Sequence, residues 1–299
     1  MENKIPEFLY KKLIEQYGID LTYKIIEGFS KKRVTTLRVN KLKTTETEIK
    51  NILKENQVEY KEVAWSDSAL IVEDIEKIRK LDIYEKGFIY LQSLSSMLPV
   101  IVLNPKEGEN ILDMAAAPGG KTCQIASLTF DKALITACEK NKIRYDRLKY
   151  NLKKQGVNKV TVLMEDARKL DEFFSFKKIL LDAPCSGSGT IFLDDGNLFK
   201  VFTEQLIERS KKTQLELLKK AISILKPGGE LVYSTCSILK EENEDNLSEI
   251  LKNKNIELVK IESNQFKGVE LLPTDIEGTI CVCPNELYEG FFISKVRKK

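Results

Sequence analysis

The chain has 299 residues, of which 42% are hydrophobic and 31% are charged, as expected for a globular protein of one large or two modest domains. Its formal net charge of +3 does not identify a partner, and the lack of histidine excludes imidazole acid–base chemistry and mixed Cys/His zinc sites. Six cysteines and a charged start at Met1–Lys4 predict free thiols, a cytoplasmic location and no membrane span.

Residues 1–85 predict a small α+β unit. Its expected elements are a helix over Phe8–Ile26, a strand over Val34–Val39, a helix over Thr45–Asn56 and a strand over Ala69–Val72. A basic stretch without a single acidic residue overlaps the first strand and contains Lys31, Lys32, Arg33, Arg38, Lys41 and Lys43. Charge runs are most often solvated faces, but the absence of interleaved acids favours an anionic partner.

Residues 86–299 predict a second, α/β domain. Gly87–Pro105 lacks charge but contains several serines, which indicates a buried strand and helix and not a membrane span. From Asn110 onward, strands alternate with helices, which predicts a mostly parallel sheet with helices on both faces. The expected strands are Asn110–Met114, Ala133–Cys138, Lys159–Met164, Lys177–Leu181 and Glu230–Thr235. The expected helices are Lys121–Leu128, Lys142–Gln155 with Gly156 as its stop, and Thr203–Leu225.

A turn of small residues follows the first of these strands and opens a helix; it comprises Ala115, Ala116, Ala117, Pro118, Gly119, Gly120 and Lys121. Small residues let a ligand approach the backbone, and a helix N-terminus favours negative charge. The segment also fits the phosphate-binding loop pattern except at Ala115, where that pattern requires glycine. Pro118 removes a backbone donor from such a loop, which counts against a nucleotide hydrolase.

Acidic residues close three successive predicted strands beside this turn. Glu139 ends the second strand, 18 residues after Lys121, where a Rossmann-like fold holds an acid for ribose hydroxyls. Asp166 and Asp182 take the matching places after the third and fourth strands. One such residue could be an ordinary surface acid, but three together predict an adenosine-type cofactor.

Two cysteines, Cys185 and Cys236, each stand just beyond a strand-like run. Such positions lie at the rim of an open α/β sheet, where ligands bind, and two thiols there suggest a covalent intermediate that is made and then broken. The alternative is that both are small buried hydrophobes. A four-thiolate metal site with Cys281 and Cys283 is disfavoured because no pair has the Cys-x2-Cys spacing.

Three segments in order, Asp113–Thr122, Leu181–Thr190 and Tyr233–Ser237, resemble the motifs of the Nop/Sun-type RNA cytosine-C5 methyltransferases. Thr36–Lys43 is similar to the N-terminal RNA-binding unit of that family, and Gly290–Ile293 is similar to its closing strand. The resemblance covers nearly the whole chain. It implies a Rossmann-like class I methyltransferase sheet, a small N-terminal α+β RNA-binding domain, S-adenosylmethionine as methyl donor, and rRNA or tRNA as substrate.

The resemblance also implies where the cofactor would bind. The turn at residues 115–121 would line its methionine and ribose side, and Glu139 would hold the ribose hydroxyls with help from Arg144. Asp166 would meet the adenine edge. Asp182 would lie near the methionine amine and the target cytosine.

The family's catalytic roles, carried over by motif, make Cys236 the nucleophile and Cys185 the residue that acts in release. A thiolate at Cys236 would add to cytosine C6, which makes C5 reactive enough to accept a methyl group. The proton on C5 must then leave. Since the chain has no histidine, the base is Cys185, Asp182 or water.

Members of the family that act on rRNA often carry further domains, for which 299 residues leave no room. The stretch at residues 31–43 and one basic helix are therefore expected to supply RNA contacts; the helix carries Lys142, Arg144, Arg147, Lys149, Lys153 and Lys154. We expect a monomer without a metal. Two alternatives remain open: a P-loop-like nucleotide hydrolase, and a catalytically idle RNA-binding protein on a methyltransferase scaffold.

Overall fold

The computed structural model describes residues 5–193 and 202–299, which form two β-sheets and the helices that cover them. The strands are β1 (Thr35–Val39), β2 (Tyr60–Val63), β3 (Ser66–Val72), β4 (Ile89–Leu91), β5 (Asn110–Asp113), β6 (Leu134–Cys138), β7 (Val160–Leu163), β8 (Phe176–Asp182), β9 (Leu225–Thr235), β10 (Ile256–Leu258), β11 (Leu271–Leu272), β12 (Ile280–Val282) and β13 (Phe291–Lys298). The helices are α1 (Glu7–Ser30), α2 (Glu46–Glu55), α3 (Ile75–Lys80), α4 (Asp82–Glu85), α5 (Leu94–Leu103), α6 (Gly120–Leu128), α7 (Lys142–Gln155), α8 (Glu204–Ile224) and α9 (Glu244–Leu251).

The larger sheet has the strand order β11-β12-β13-β9-β8-β5-β6-β7, with β10 paired to β13. Strands β5 to β9 pair in parallel, as predicted from the alternation of strands and helices. Strands β10 to β13 instead form an antiparallel region, so the expectation of a mostly parallel sheet is wrong at this edge. Strands β10, β11 and β12 have only two or three residues each, too few for a clear alternating pattern.

The parallel strands are buried on both faces, and their successive residues enter two different apolar clusters. Leu112 and Leu181 pack with residues of α1, α8 and α9, whereas Ile111 and Leu180 pack with residues of α5, α6 and α7. This alternation follows from the two-residue period of a strand. It confirms the predicted arrangement of helices on both faces of an α/β sheet.

The smaller sheet is antiparallel, with the order β2-β3-β1-β4. Its strand β4 lies beyond residue 85 and pairs with β1. Helix α1 does not pack on this sheet: Leu9, Leu13 and Phe29 are buried in the same cluster as Tyr233 and Phe292 of the larger one. The predicted division at residue 85 stays a prediction, and elements on each side of it pack across it.

Helix α7 shows why several predicted boundaries agree with the structure. The Asn141 side chain accepts a hydrogen bond from the backbone N–H of Arg144, which caps the first turn. Gly156 ends the helix with a φ of 75°, a conformation that glycine adopts without steric cost. The helix predicted over Thr203–Leu225 is likewise observed as α8, with Thr203 as its N-terminal cap.

Much of the basic stretch at residues 31–43 is engaged within the protein, which changes the expectation that it supplies RNA contacts. Arg38 is buried and its Nε donates to Gln92 Oε1 at 3.0 Å; burial lowers the pKa of its guanidinium to about 10. Lys41 pairs with Glu46 at 2.6 Å. Lys43 Nζ donates to two backbone carbonyls, at 2.7 and 2.6 Å. Arg38 and Lys43 thus connect the smaller sheet to the rest of the chain.

Candidate active site

A cavity of about 270 Å³ lies at the carboxyl ends of the parallel strands, where ligands bind in open α/β sheets. The structure brings most of the predicted site residues to its wall: Ala115, Ala117, Glu139, Arg144, Asp166, Asp182, Cys185 and Cys236. Apart from Arg144, which lies in α7, these residues follow or end strands β5 to β9. Thr213 and Leu217 of α8 also line it.

A second cavity of about 240 Å³ shares Ala115, Ala117 and Asp182 with the first. It also contains the remaining predicted turn residues except Gly119, namely Ala116, Pro118, Gly120 and Lys121. Gly119 faces α7, where a Cβ atom would lie 3.0 Å from Leu148 Cδ1. The predicted cofactor turn therefore contributes residues to both cavities, one beside the thiols and one beside β4. Its remaining residue, Gly119, packs on α7.

The two thiols lie in direct contact. Cys185 Sγ and Cys236 Sγ are 2.8 Å apart, and both cysteines are free. The contact with the Cys236 sulfur, followed by burial, raises the pKa of the Cys185 thiol well above its ordinary value. Near neutral pH Cys185 is therefore held as a neutral thiol beside the other sulfur.

The thiols meet because the loop after β8 is pressed against the end of β9. Gly189 N–H donates to Cys236 O at 3.0 Å, and Gly290 N–H donates to Gly189 O at 2.8 Å. A Cβ atom on Gly189 would lie 2.0 Å from Gly290 O, so only glycine permits this approach. The loop, the end of β9 and the residue before β13 thus fix one another.

Asp182 ends β8 at the boundary between the two cavities. Its carboxylate accepts a hydrogen bond from Ser234 Oγ at 2.8 Å and pairs with Lys121 Nζ at 2.7 Å. Lys121 Nζ also donates to Ser96 Oγ at 2.6 Å. The lysine that a phosphate-binding loop would offer to a nucleotide is thus bound to a carboxylate and a hydroxyl.

Asp113, at the end of β5, is a site residue that the sequence analysis missed. It is buried, lines the second cavity and accepts a hydrogen bond from Thr122 Oγ1 at 2.7 Å. Burial raises the pKa of its carboxyl to about 6. Asp113 is the last residue of its strand, as Asp182 is of β8, and this position is a signal that could have identified it.

Glu139 and Arg144 lie together at the entrance of α7. Glu139 is buried and accepts a hydrogen bond from the backbone N–H of Asn141 at 2.8 Å. Arg144 Nε lies 3.5 Å from Glu139 Oε2, and its Nη2 donates to Ala117 O at 2.7 Å. Arg144 therefore connects α7 to the cofactor turn and orients the acid beside it.

Asp166 lines the cavity, and its carboxylate is paired with Arg168. Arg168 Nη2 lies 2.6 Å from Asp166 Oδ2, and hydrogen bonds from Arg168 lower the pKa of that carboxyl to about 2. Arg168 Nη1 also pairs with Glu216 at 2.6 Å. Any adenine contact by the Asp166 side chain would share these oxygens with Arg168, a pairing that the sequence analysis did not include.

Residues 5–193 and 202–299 contain no group of three or more Cys, Asp or Glu placed to hold a metal ion. Over the same residues, no helix has the length and apolar character needed to cross a membrane.

Two family models match the chain. Residues 100–297 match the model described as 16S rRNA methyltransferase RsmB/F. Residues 5–79 match the model described as the ferredoxin-like domain of RsmF/B-like methyltransferases. Together they match residues of every strand of both sheets except β4.

Two curated relatives are similar over most of this chain. A 28S rRNA (cytosine-C(5))-methyltransferase from Mus musculus is 36% identical, with 98% of this chain and 38% of the relative aligned. A tRNA (cytosine(72)-C(5))-methyltransferase from Pyrococcus horikoshii is 38% identical, with 81% of this chain and 62% of the relative aligned. The chain thus spans between about two fifths and three fifths of the length of these relatives.

A solved structure shares the fold over the whole chain. The crystal structure of NSun6 from Pyrococcus horikoshii with SFG has a TM-score of 0.88 and 26% identity, and covers 100% of this chain and 99% of that one.

Proposed function

Because the chain belongs to the 16S rRNA methyltransferase RsmB/F family, we propose that it methylates C5 of a cytosine in RNA. The observation that carries this proposal is the 2.8 Å contact between Cys185 and Cys236 in the cavity at the sheet edge. A covalent addition needs a nucleophile that attacks the base and a second group that helps the nucleophile to leave again. Two thiols on one wall of the cavity can fill these two roles. The curated relatives are named for rRNA and tRNA, and we propose rRNA as substrate, with tRNA as the alternative.

The cavity fits S-adenosylmethionine as methyl donor. Three carboxylates in its lining, Glu139, Asp166 and Asp182, suit a ligand with a cationic sulfonium and ribose hydroxyls. Basic side chains, including Arg144, stand among them. The solved relative with SFG, a S-adenosylmethionine analogue, has the same fold. When bound, S-adenosylmethionine supplies an electrophilic methyl group. Glu139 would hold the ribose, and the turn at residues 115–121 would hold the methionine side.

The two thiols would act in different steps of the reaction, Cys236 in the attack and Cys185 in the release. Cys236 would attack cytosine C6 as a thiolate, forming a carbon–sulfur bond and shifting electrons toward C5. After methyl transfer, a base removes the proton from C5. The electron pair of the C5–H bond forms the C5–C6 double bond as the C6–sulfur bond breaks, with the electrons of that bond left on Cys236 Sγ beside the neutral thiol of Cys185. Cys185, Asp182 and water remain the candidates for the base.

One face of α7 provides a candidate RNA-binding surface. Ile143, Arg147 and Tyr150 are exposed and lie on one face, since they are four and three residues apart. Arginine next to an exposed aromatic ring suits a single-stranded segment, because phosphates pair with the guanidinium and bases stack on the ring. Arg144, in the first turn of the same helix, lines the cavity. The face therefore leads to the site.

Replacing each cysteine separately tests the proposed reaction. Cys236→Ala should abolish methyl transfer to RNA in a tritium assay, because the attacking group is lost. Cys185→Ala should leave a protein–RNA adduct that survives denaturing electrophoresis, because the bond forms and is not released. Cys283→Ala, which removes a buried thiol outside the cavity, is the matched control and should retain turnover.

Two outcomes would contradict the proposal. Normal turnover by Cys236→Ala would exclude this thiol as the nucleophile. Calorimetric binding of ATP with magnesium, but not of S-adenosylmethionine, would favour the nucleotide hydrolase. The cytoplasmic location and the monomeric state remain predictions.

A further inference from the structure

Three polar side chains lie buried beneath the loop that carries Cys185. Gln214 of α8 and Glu242, which precedes α9, have no exposed surface, and Asn246 of α9 is 1% exposed. Glu242 and Asn246 are four residues apart, and Gln214 is 28 residues before Glu242. We call these three residues the polar cluster. Buried polar groups persist in a fold when their hydrogen bonds are satisfied, so their partners show what the cluster holds.

The polar cluster holds the chain on both sides of Cys185. Glu242 accepts hydrogen bonds from the backbone N–H of Ser186 at 2.8 Å and from Ser186 Oγ at 2.5 Å. Gln214 Nε2 donates to the backbone carbonyl of Pro184 at 3.0 Å. The residues directly before and after Cys185 are thus each fixed by a buried side chain.

The cluster is also connected internally. Gln214 Nε2 donates to Glu242 Oε1 at 3.0 Å, and Asn246 Nδ2 donates to Gln214 Oε1 at 3.0 Å. The Tyr233 hydroxyl donates to the backbone carbonyl of Glu242. A network of this kind resists rotation of any single member.

Among the described residues, the Glu242 side chain is held by hydrogen bonds and not by a cation. The neighbouring Glu241 pairs with Lys12 at 2.6 Å, whereas Glu242 forms no ion pair in the described part of the chain. A buried carboxylate that relies on hydrogen bonds alone is costly for stability compared with an apolar residue. We therefore expect the role of Glu242 in the segment that it binds, which is the loop that carries Cys185.

We propose that Glu242, supported by Gln214, is a positioning residue for the release step: it keeps the Cys185 thiol against Cys236 Sγ. This role rests on the proposed function. In release, the C6–sulfur bond breaks with its electron pair on Cys236 Sγ, and a thiol 2.8 Å away can donate a hydrogen bond to that sulfur. If the loop could move, Cys185 would no longer stay beside Cys236 Sγ. Cys236 could still attack cytosine C6, but the C6–sulfur bond would break slowly.

Glu242→Gln tests this role because it preserves the size of the side chain and removes an acceptor. We expect the fraction of protein trapped as the RNA adduct to rise about tenfold, the effect of losing one hydrogen bond to a charged group. Methyl transfer in a single turnover should stay close to wild type. Ser186→Ala keeps the backbone hydrogen bond and should give a smaller rise. Glu244→Gln, a buried acid on α9 that makes no contact with the loop, is the control and should give none.

The outcomes separate this role from a merely structural one. If single-turnover transfer and adduct both fall in Glu242→Gln and Ser186→Ala, the cluster only stabilises the fold and the inference is overturned. If Cys185→Ala traps an adduct and neither variant does, the inference also fails while the proposed function stands. If wild type does not methylate RNA and Cys185→Ala traps nothing, the proposed function fails and the inference falls with it. Should Glu242→Gln not fold, Ser186→Ala decides the question.

Discussion

Among single residues, the two thiols and the carboxylates at the strand ends carry the chemistry. The positions of Cys185 and Cys236 after β8 and β9 predicted that they would share one cavity, and the structure brings them into contact. Their roles as releasing and attacking groups came from the family resemblance. The pairing of Lys121 with Asp182 was not foreseen, because it depends on how α6 is placed against the end of β8.

Asp113 predicts an unusual dependence of stability on pH. Its folded-state pKa of about 6 lies above the usual 3.8, so the folded state retains this proton over a range in which the unfolded chain has lost it. Stability should fall as pH rises from about 4 to 6, by about 3 kcal/mol. Asp113→Asn should remove this fall. Urea unfolding of both proteins at pH 4 and pH 7 measures the difference.

Asp166 is the matched control because its pKa is shifted in the opposite direction, to about 2. Its contribution to stability is present above about pH 4 and is lost as pH falls toward 2. Asp166→Asn should therefore lose stability at pH 7 and converge with wild type in acid. Equal pH profiles for wild type and Asp113→Asn would show that the Asp113 carboxyl is not held protonated.

At the scale of elements, the exposed face of α7 predicts an effect on RNA affinity. Arg147→Glu should weaken RNA binding and reduce the slope of log affinity against log salt concentration by about one, because one phosphate contact is lost. Fluorescence anisotropy with labelled RNA at several salt concentrations measures both quantities.

Lys226→Glu is the control for the change in net charge. Lys226 is exposed near the start of β9, whereas the candidate site lies beyond the opposite end of that strand. An equal loss of affinity in the two variants would show a general charge effect and contradict a specific contact by α7. Unchanged binding by Arg147→Glu would have the same consequence.

The loop after β8 predicts a steric effect at Gly189. In Gly189→Ala, the new Cβ atom would lie 2.0 Å from Gly290 O, so the loop must move away from Cys236. We expect a loss of about 1 to 3 kcal/mol of stability. Turnover should be slow and more RNA adduct should be trapped, because a displaced Cys185 impairs release. Gly268→Ala is the comparison for backbone strain alone, since Gly268 has a φ of +81° but a Cβ atom there meets nothing within 4 Å. It should lose about 1 kcal/mol of stability and keep its turnover. Full activity in Gly189→Ala would mean that the loop contact does not position the thiols.

Elements with a strong local signal were predicted well. Helices α7 and α8 have polar caps and long patterns, and their ends agree with the prediction to within one residue. Strands β10 to β12 could not be predicted, because their two or three residues are held by pairing with distant strands. Glu242 was missed for a similar reason: it stands among surface-like acids, and only the tertiary fold buries it.

At the scale of the whole molecule, the two sheets are joined by buried polar contacts. Asn40 Nδ2 donates to Gln155 O at 2.8 Å, and Trp65 Nε1 donates to the Tyr288 hydroxyl at 2.9 Å. The Trp65 ring also meets Phe266 edge to face. Trp65 is the single tryptophan of the chain, so its fluorescence reports on the contact between the two parts.

We therefore expect one cooperative unfolding transition. Tryptophan fluorescence and far-UV circular dichroism should give the same urea midpoint, because separating the sheets would expose the buried side chains between them. Trp65→Phe should leave the circular dichroism transition in place and serves as the control. A fluorescence change at clearly lower urea would show that the smaller sheet detaches first.

The packing of α1 has a consequence for how the chain is made. The Tyr17 hydroxyl donates to Ile238 O at 2.5 Å, and α1 shares its cluster with Phe292. Two of the partners of α1 are thus translated more than 200 residues after it. Since translation proceeds at about 5–20 residues per second, these partners are made tens of seconds after the apolar face of α1. During that time the apolar face of α1 lacks these partners, so we expect a chaperone to bind this helix in the nascent chain.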